Sequence, residues 1–319
     1  MKNSNNSKSP LNRRSFIAAA TAGVAAASWC STQLAQAGPQ QRKQRVQPIV
    51  RWRLQARRQE ETFLDGSTVP FFRYFSVGNT RTNGNLPLIR TFENRQASVR
   101  IENMVNFPIQ PTIINYQSGP VIMPGETGTW NFIMPPHGTW IFTESLLGAP
   151  ASSAGFAAAL ISNPTKFKNP AREYFLLYQD SDDRWNNAID NGNVPDESVF
   201  EPNYHTLNGL TYPHTLMDDD TRVNCFLGEE VLIRIGNLSN IRHSLHLHGF
   251  HANLVRRNNV DENTMPEKDT FPIPANSTAE IILDVTQVGE YPLHPHSLTA
   301  TTDNGTYQGG SVTMIDAQA

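Results

Sequence analysis

The chain is poor in cysteine, in charge and in long apolar runs. Two cysteines in 319 residues exclude a disulfide-dense scaffold. Charged residues make up only 17% of the chain, which excludes an acidic or basic disordered tail protein. A formal net charge of −3 gives no basic surplus, so nucleic-acid binding is not expected. No apolar run is long enough to span a membrane as a helix, and no segment carries a long apolar stripe at helical spacing. What remains is 38% hydrophobic residues, enough for a real core, in a length that suits two ordinary domains or one large one.

The first 37 residues read differently from the rest. Asn12-Arg13-Arg14-Ser15-Phe16-Ile17 is a twin-arginine pattern. An uncharged, Ala- and Gly-rich run follows from Ile17 to Trp29, and Ala35-Gln36-Ala37 supplies an A-x-A cleavage site. Residues 1–37 are therefore expected to be a twin-arginine export signal, which places the protein in the periplasm or outside the cell. Removing them takes away Lys2, Lys8, Arg13 and Arg14 and no acid, so the exported part is more acidic than the whole. It also takes away Cys30. Cys225 is then alone, and no intramolecular disulfide can form. The Gln/Arg-rich stretch from Gly38 to Arg58 reads as a solvated arm leading into a first strand.

Beyond residue 58 the pattern is that of an all-β protein. Ala97–Asn103, Thr129–Met134, Glu230–Gly236 and Thr278–Val285 alternate or are β-branched, and Pro124-Gly125, Asn208-Gly209 and Asn304-Gly305 mark turns between strands. Ala151–Leu160 is Ala-rich and is expected to give a short helix. Many short strands with frequent turns predict β-sandwiches or barrels. A weak internal repeat points to two copies of one unit. Gly138-Thr-Trp-Ile-Phe142 near the end of the first half matches Gly289-Glu-Tyr-Pro-Leu293 in the second. The Asp/Asn-rich stretch Asp180–Pro202 reads as the connector. The expected domains are 38–190 and 191–319.

Six histidines fall in two short clusters, His243-Ser-Leu-His246-Leu-His248-Gly-Phe-His251 and His294-Pro-His296. Residues two apart on a strand share a face, so His246 and His248 project together, as do His294 and His296. If the strands are neighbours, the imidazoles converge. Imidazoles without a carboxylate or thiolate favour copper or zinc over magnesium or calcium. His137, His205 and His214 lack such company and read as ordinary surface or core residues. Asp303 and Glu290 are candidates to orient an imidazole, but read more simply as exposed charges at strand ends. Asp218-Asp-Asp220 reads as a solvated loop.

His243-Ser-Leu-His246-Leu-His248-Gly249 resembles the H-x-x-H-L-H-G motif of the multicopper oxidases. Tyr291-Pro-Leu-His294-Pro-His296 sits where that family has H-C-H, and Asn203–Gly209 resembles the phrase that opens its final domain. The resemblance implies two cupredoxin-like Greek-key domains, copper as cofactor and oxidoreductase activity. It further implies His246 as a type-2 copper ligand, His248, His294 and His296 as type-3 ligands, and His243 as a type-1 ligand. The other type-1 positions depart from the pattern, because Pro295 stands in place of the cysteine and Ala300 in place of the next histidine. Without a thiolate no blue copper site of the usual kind is expected. The first domain has Thr112–Gly119 and Gly138–Ser145 where the family has its other histidine pairs, so the oxygen-reducing cluster is incomplete. A homotrimer of the kind two-domain members form would not repair it, since each copy shares the loss. An electron-transfer or copper-donor partner is expected, and the alternatives are a non-catalytic copper-binding or accessory protein and a metal-free structural subunit. Zinc in place of copper stays open.

Overall fold

Why the chain folds as it does is clearest in its strand parities. In the strand His243–Leu247, His243, Leu245 and Leu247 are buried while Ser244 and His246 are only half so. In Gly289–Pro295, Leu293 and Pro295 are buried and His294 is half-buried. Such alternation lets one face of a sheet close a core while the other stays open. The computed structural model describes residues 49–166, 170–262 and 266–319. The expected export signal lies outside them.

Four sheets result. The first runs in the order Thr68–Ser76, Val50–Thr62, Gln96–Asn103, Thr127–Ile133, and the second contains Leu86–Phe92, Ala158–Asn163, Gly138–Glu144 and Pro111–Ile113. Between them lies a core that includes Leu54, Val99, Ile101, Trp130 and Phe142. The third sheet has Arg172–Ser181, Glu230–Leu238, Ser277–Asp284 and Ala252–Arg257 in order, after Tyr204–Leu207 at its edge. The fourth runs Val223–Phe226, Thr313–Gln318, Gly289–Pro295, His243–Leu247, Thr270–Ile273. A second core, including Ile233, Ile235, Leu245, Leu247 and Leu293, fills the space between these two. The fold is all-β, two cupredoxin-like sandwiches, as the sequence implied.

A third apolar cluster joins the sandwiches. Leu86, Ile141, Ala159 and Ile161 of the second sheet pack against Phe175, Leu177 and Leu238 of the third. Polar groups reinforce this seam. Glu280 Oε1 accepts from Thr139 Oγ1 at 2.7 Å and from Arg234 Nη1 at 2.5 Å. Asn259 Oδ1 takes the Thr139 N–H at 2.8 Å.

Three expectations are modified. The strands divide between sandwiches after Asn163 and before Arg172, earlier than the boundary near residue 190 read from composition. Phe175–Ser181 is buried throughout because both sheet faces are covered, so it belongs to the third sheet. The Asp/Asn-rich stretch that follows is not a plain connector: it contains a helix, Asp183–Asp190, capped by the Asp182 carboxylate on the Arg184 N–H. Only Pro150–Ala154 of the Ala-rich segment is helical. Gly155, at φ 99°, ends that helix and the chain continues as the strand Ala158–Asn163.

The internal repeat has a structural counterpart. Gly138 and Gly289 open equivalent strands at φ 145° and 139°, a region that favours glycine. Five residues on, Thr143 and His294 occupy matching places.

Candidate metal centre

His246 lies on the outer face of the fourth sheet, in register with His294 on the neighbouring antiparallel strand. His248 and His296 follow the ends of these strands. The ring centroids of His246 lie 4.6 Å from His248, 5.9 Å from His294 and 5.4 Å from His296, and those of His248 and His294 are 5.2 Å apart. The strand register thus gathers the four predicted imidazoles into one patch. His248 and His296 are exposed, His246 and His294 half-buried.

Hydrogen bonds fix the tautomers. His294 Nδ1 donates to the Pro295 carbonyl at 2.8 Å, and His246 Nδ1 lies 3.2 Å from the Asp269 carbonyl and 3.0 Å from Thr270 Oγ1. A carbonyl can only accept, so both Nδ1 atoms carry the proton and both Nε2 atoms present a lone pair. His248 Nε2 lies 3.1 Å from His294 Nε2, a contact that holds one shared N–H in the metal-free protein. Burial, and then the neighbouring imidazoles His246, His294 and His296, hold His248 below the ordinary imidazole value. Burial also lowers His294, helped by His246 and His296 and opposed by the Pro295 carbonyl. Both shifts favour the neutral ring, which is the form that ligates. Among the described residues no three His, Cys, Asp or Glu side chains already stand as an ion-holding group. What stands ready is a convergent Nε2 pair with two further imidazoles against it.

His243 is not part of this patch. It points to the interior, where its Nε2 donates to Asp180 Oδ2 at 2.7 Å, while His205 Nδ1 donates to Asp180 Oδ1 at 2.6 Å. Ser239 Oγ also donates to Asp180. Burial alone would raise the Asp180 carboxyl, but the hydrogen bonds from His205 and His243 prevail and hold it well below the carboxylate range. The far ring nitrogens, His205 Nε2 and His243 Nδ1, have no hydrogen-bond partner among the described residues. Asp180 and His205 were not expected from the sequence to act together.

Pro295 is buried beside Leu245, and Ala300 is fully buried. Cys225, buried in Val223–Phe226, has its Sγ 3.6 Å from the Asp316 carbonyl, and burial pushes its thiol up to about 11. Asp303 is wholly buried rather than exposed, and it accepts from Thr211 Oγ1 and the Gly310 N–H. Glu290 pairs with Arg222. Neither orients an imidazole of the patch. His137 lies 3.3 Å from Glu93, and His251 is exposed outside the strand ends.

The sequence of residues 167–309 matches the family model described as multicopper oxidase. No curated protein matches the chain. Among solved structures it is similar to the blue copper oxidase of Nitrosomonas europaea, with a TM-score of 0.72 at 20% identity over 85% of this chain and 86% of that one. It is also similar to the copper nitrite reductase of Nitrosomonas europaea, with a TM-score of 0.66 at 16% identity over 85% of this chain and 94% of that one. At these identities the likeness is one of fold.

Proposed function

We propose that this chain, whose residues 167–309 match the multicopper oxidase family model, is an exported copper protein of oxidoreductase type. Its copper is held by His246, His248, His294 and His296. The observation that carries the reading is the Nε2 pair of His248 and His294, 3.1 Å apart. The His294 lone pair is aimed by the Nδ1–H bond to the Pro295 carbonyl. Copper bound there supplies one-electron redox chemistry. The chain's own residues do three things. Thr270 and the Asp269 carbonyl hold the His246 ring and its tautomer. The lowered proton affinity of His248 and His294 keeps both rings available as ligands near neutral pH. His248 and His294 would hold a metal ion with the proton between their Nε2 atoms given up to solvent.

Three further parts belong to this reading. Export follows from the twin-arginine pattern at Arg13-Arg14 and the A-x-A site at Ala35–Ala37. Electrons come from the substrate directly or from a partner, because no thiolate stands at Pro295. Assembly is as a homotrimer. Among the described residues no helix is long and apolar enough to cross a membrane.

A second reading is favoured by a separate observation: Thr112 faces Thr143 in the first sandwich where His246 faces His294 in the second. On that reading the protein is a copper holder or accessory subunit. Copper quantitation and EPR on exported protein, followed by oxygen uptake with phenols, Mn(II) and Cu(I), separate the two. A type-2 signal without an intense visible band, with turnover, supports the oxidoreductase. Copper without turnover but with transfer to an oxidase supports the holder, and an absence of copper overturns both.

A further inference from the structure

Beside the histidine patch is a cavity of about 300 Å3 with His248 and His294 in its wall. The rest of its lining includes Tyr212, Leu216, Leu298, Tyr307 and Met314. Among the described residues, no Asp, Glu, Lys or Arg lines it. An ion entering the cavity of the protein without copper would lose water and meet no acidic or cationic Lys or Arg side chain among the lining residues. An apolar ring would meet Tyr212, Tyr307 and Met314 in the lining. The volume lies at the small end of ligand pockets, enough for one ring and a short substituent. At the mouth, Leu298 is 75% and Tyr307 72% exposed, a cost in water that a bound apolar guest would lower.

We infer that this cavity is a binding site for a small uncharged, largely apolar molecule of one-ring size, seated against His248 and His294. It deepens the copper reading, on which the guest's position beside the metal rests. It sets the site apart from one built for an inorganic anion or a metal cation as substrate. The selecting residues are Leu216 and Met314 on the wall and Leu298 at the mouth.

The test uses three fluorine-bearing probes that differ in charge: 4-fluorobenzyl alcohol, 4-fluorobenzylammonium and 4-fluorobenzenesulfonate. Binding to the full exported chain is read by 19F NMR, with and without copper. In the protein without copper, the neutral probe is expected to bind at least about tenfold more tightly than either ion. Leu216→Trp fills the cavity and is expected to weaken the neutral probe by about tenfold while copper content stays unchanged. Leu298→Arg, at an exposed position that leaves the fold intact, is expected to make the sulfonate bind better than the ammonium probe. Equal binding of all three probes, or no response to both substitutions, overturns the site. Because the metal-free protein is measured too, loss of copper binding alone refutes the copper reading and leaves the cavity result standing.

Discussion

His246 and His294 stand opposite each other across the ladder of His243–Leu247 and Gly289–Pro295. In the first sandwich the same ladder position is held by Thr112 and Thr143. The backbone that gathers imidazoles is therefore present twice, and the side chains that would use it only once. Among the described residues, the four-histidine patch lies on the outer face of the fourth sheet.

Replacing His248 or His294 by glutamine removes one of the two convergent donors. Each change is expected to lower copper affinity by at least roughly tenfold, since soft-borderline ions depend on imidazole number. His243→Gln and His205→Gln are expected to keep copper and lose stability. Metal content with a denaturant midpoint distinguishes the two groups. Copper loss in His243→Gln with normal stability would return that residue to the metal site.

Thr270→Val removes the side-chain acceptor for His246 Nδ1. The expected cost is roughly tenfold to a hundredfold in copper affinity, typical for a residue that orients a ligating imidazole. A competition titration with a copper chelator measures it. Unfolding stability should change little, because the Asp269 carbonyl still takes the proton.

Asp180→Asn is expected to destabilise the protein by about 3 kcal/mol, since two buried imidazole N–H groups lose their carboxylate. The sign with pH follows from the Asp180 carboxyl being held below its ordinary value of 3.8. A carboxyl that is harder to protonate folded than unfolded stabilises the fold fully above the unfolded value. That contribution fades as pH falls below it. Urea midpoints of wild type and variant should thus stay apart from neutral pH down to about 4 and converge in stronger acid. Divergence in acid would contradict the assignment.

Thr139 and Glu280 come from different sandwiches and share a hydrogen bond of 2.7 Å. In a double-mutant cycle, Thr139→Val and Glu280→Gln are expected to couple by about 1 kcal/mol. Additive effects on the thermal midpoint would mean that the apolar cluster around Ile141 and Phe175 holds the sandwiches together by itself.

The four-histidine patch was legible because its determinants are local. The H-x-H spacing sets the face, and a single antiparallel register brings the two pairs together. Asp180 was not legible. It lies 63 residues before His243, in a stretch whose composition suggests a solvated connector. The missed signal is parity: Leu176 and Tyr178 point into the second core, and Asp180 is the next residue on that side. Asp303 was misjudged for a related reason. It accepts from Thr211, 92 residues away in the chain, a contact that no local pattern signals. The position of the sandwich boundary was likewise hidden, since a strand covered on both faces loses the alternation that marks its neighbours.

The seam between the sandwiches has one more consequence. The outer face of the sheet bearing Gly138–Glu144 is covered within the chain by Phe175 and Leu177. The equivalent outer face of the sheet bearing Gly289–Pro295 carries His246 and His294 and is left half open. One joint of the repeat is closed inside the molecule and its counterpart is open. Unlike faces that mate head to tail form a ring where the rotation closes. On the proposed trimer, the histidines would then lie not on a surface but in the mortar between bricks, and dilution of the assembly would be felt first at the metal.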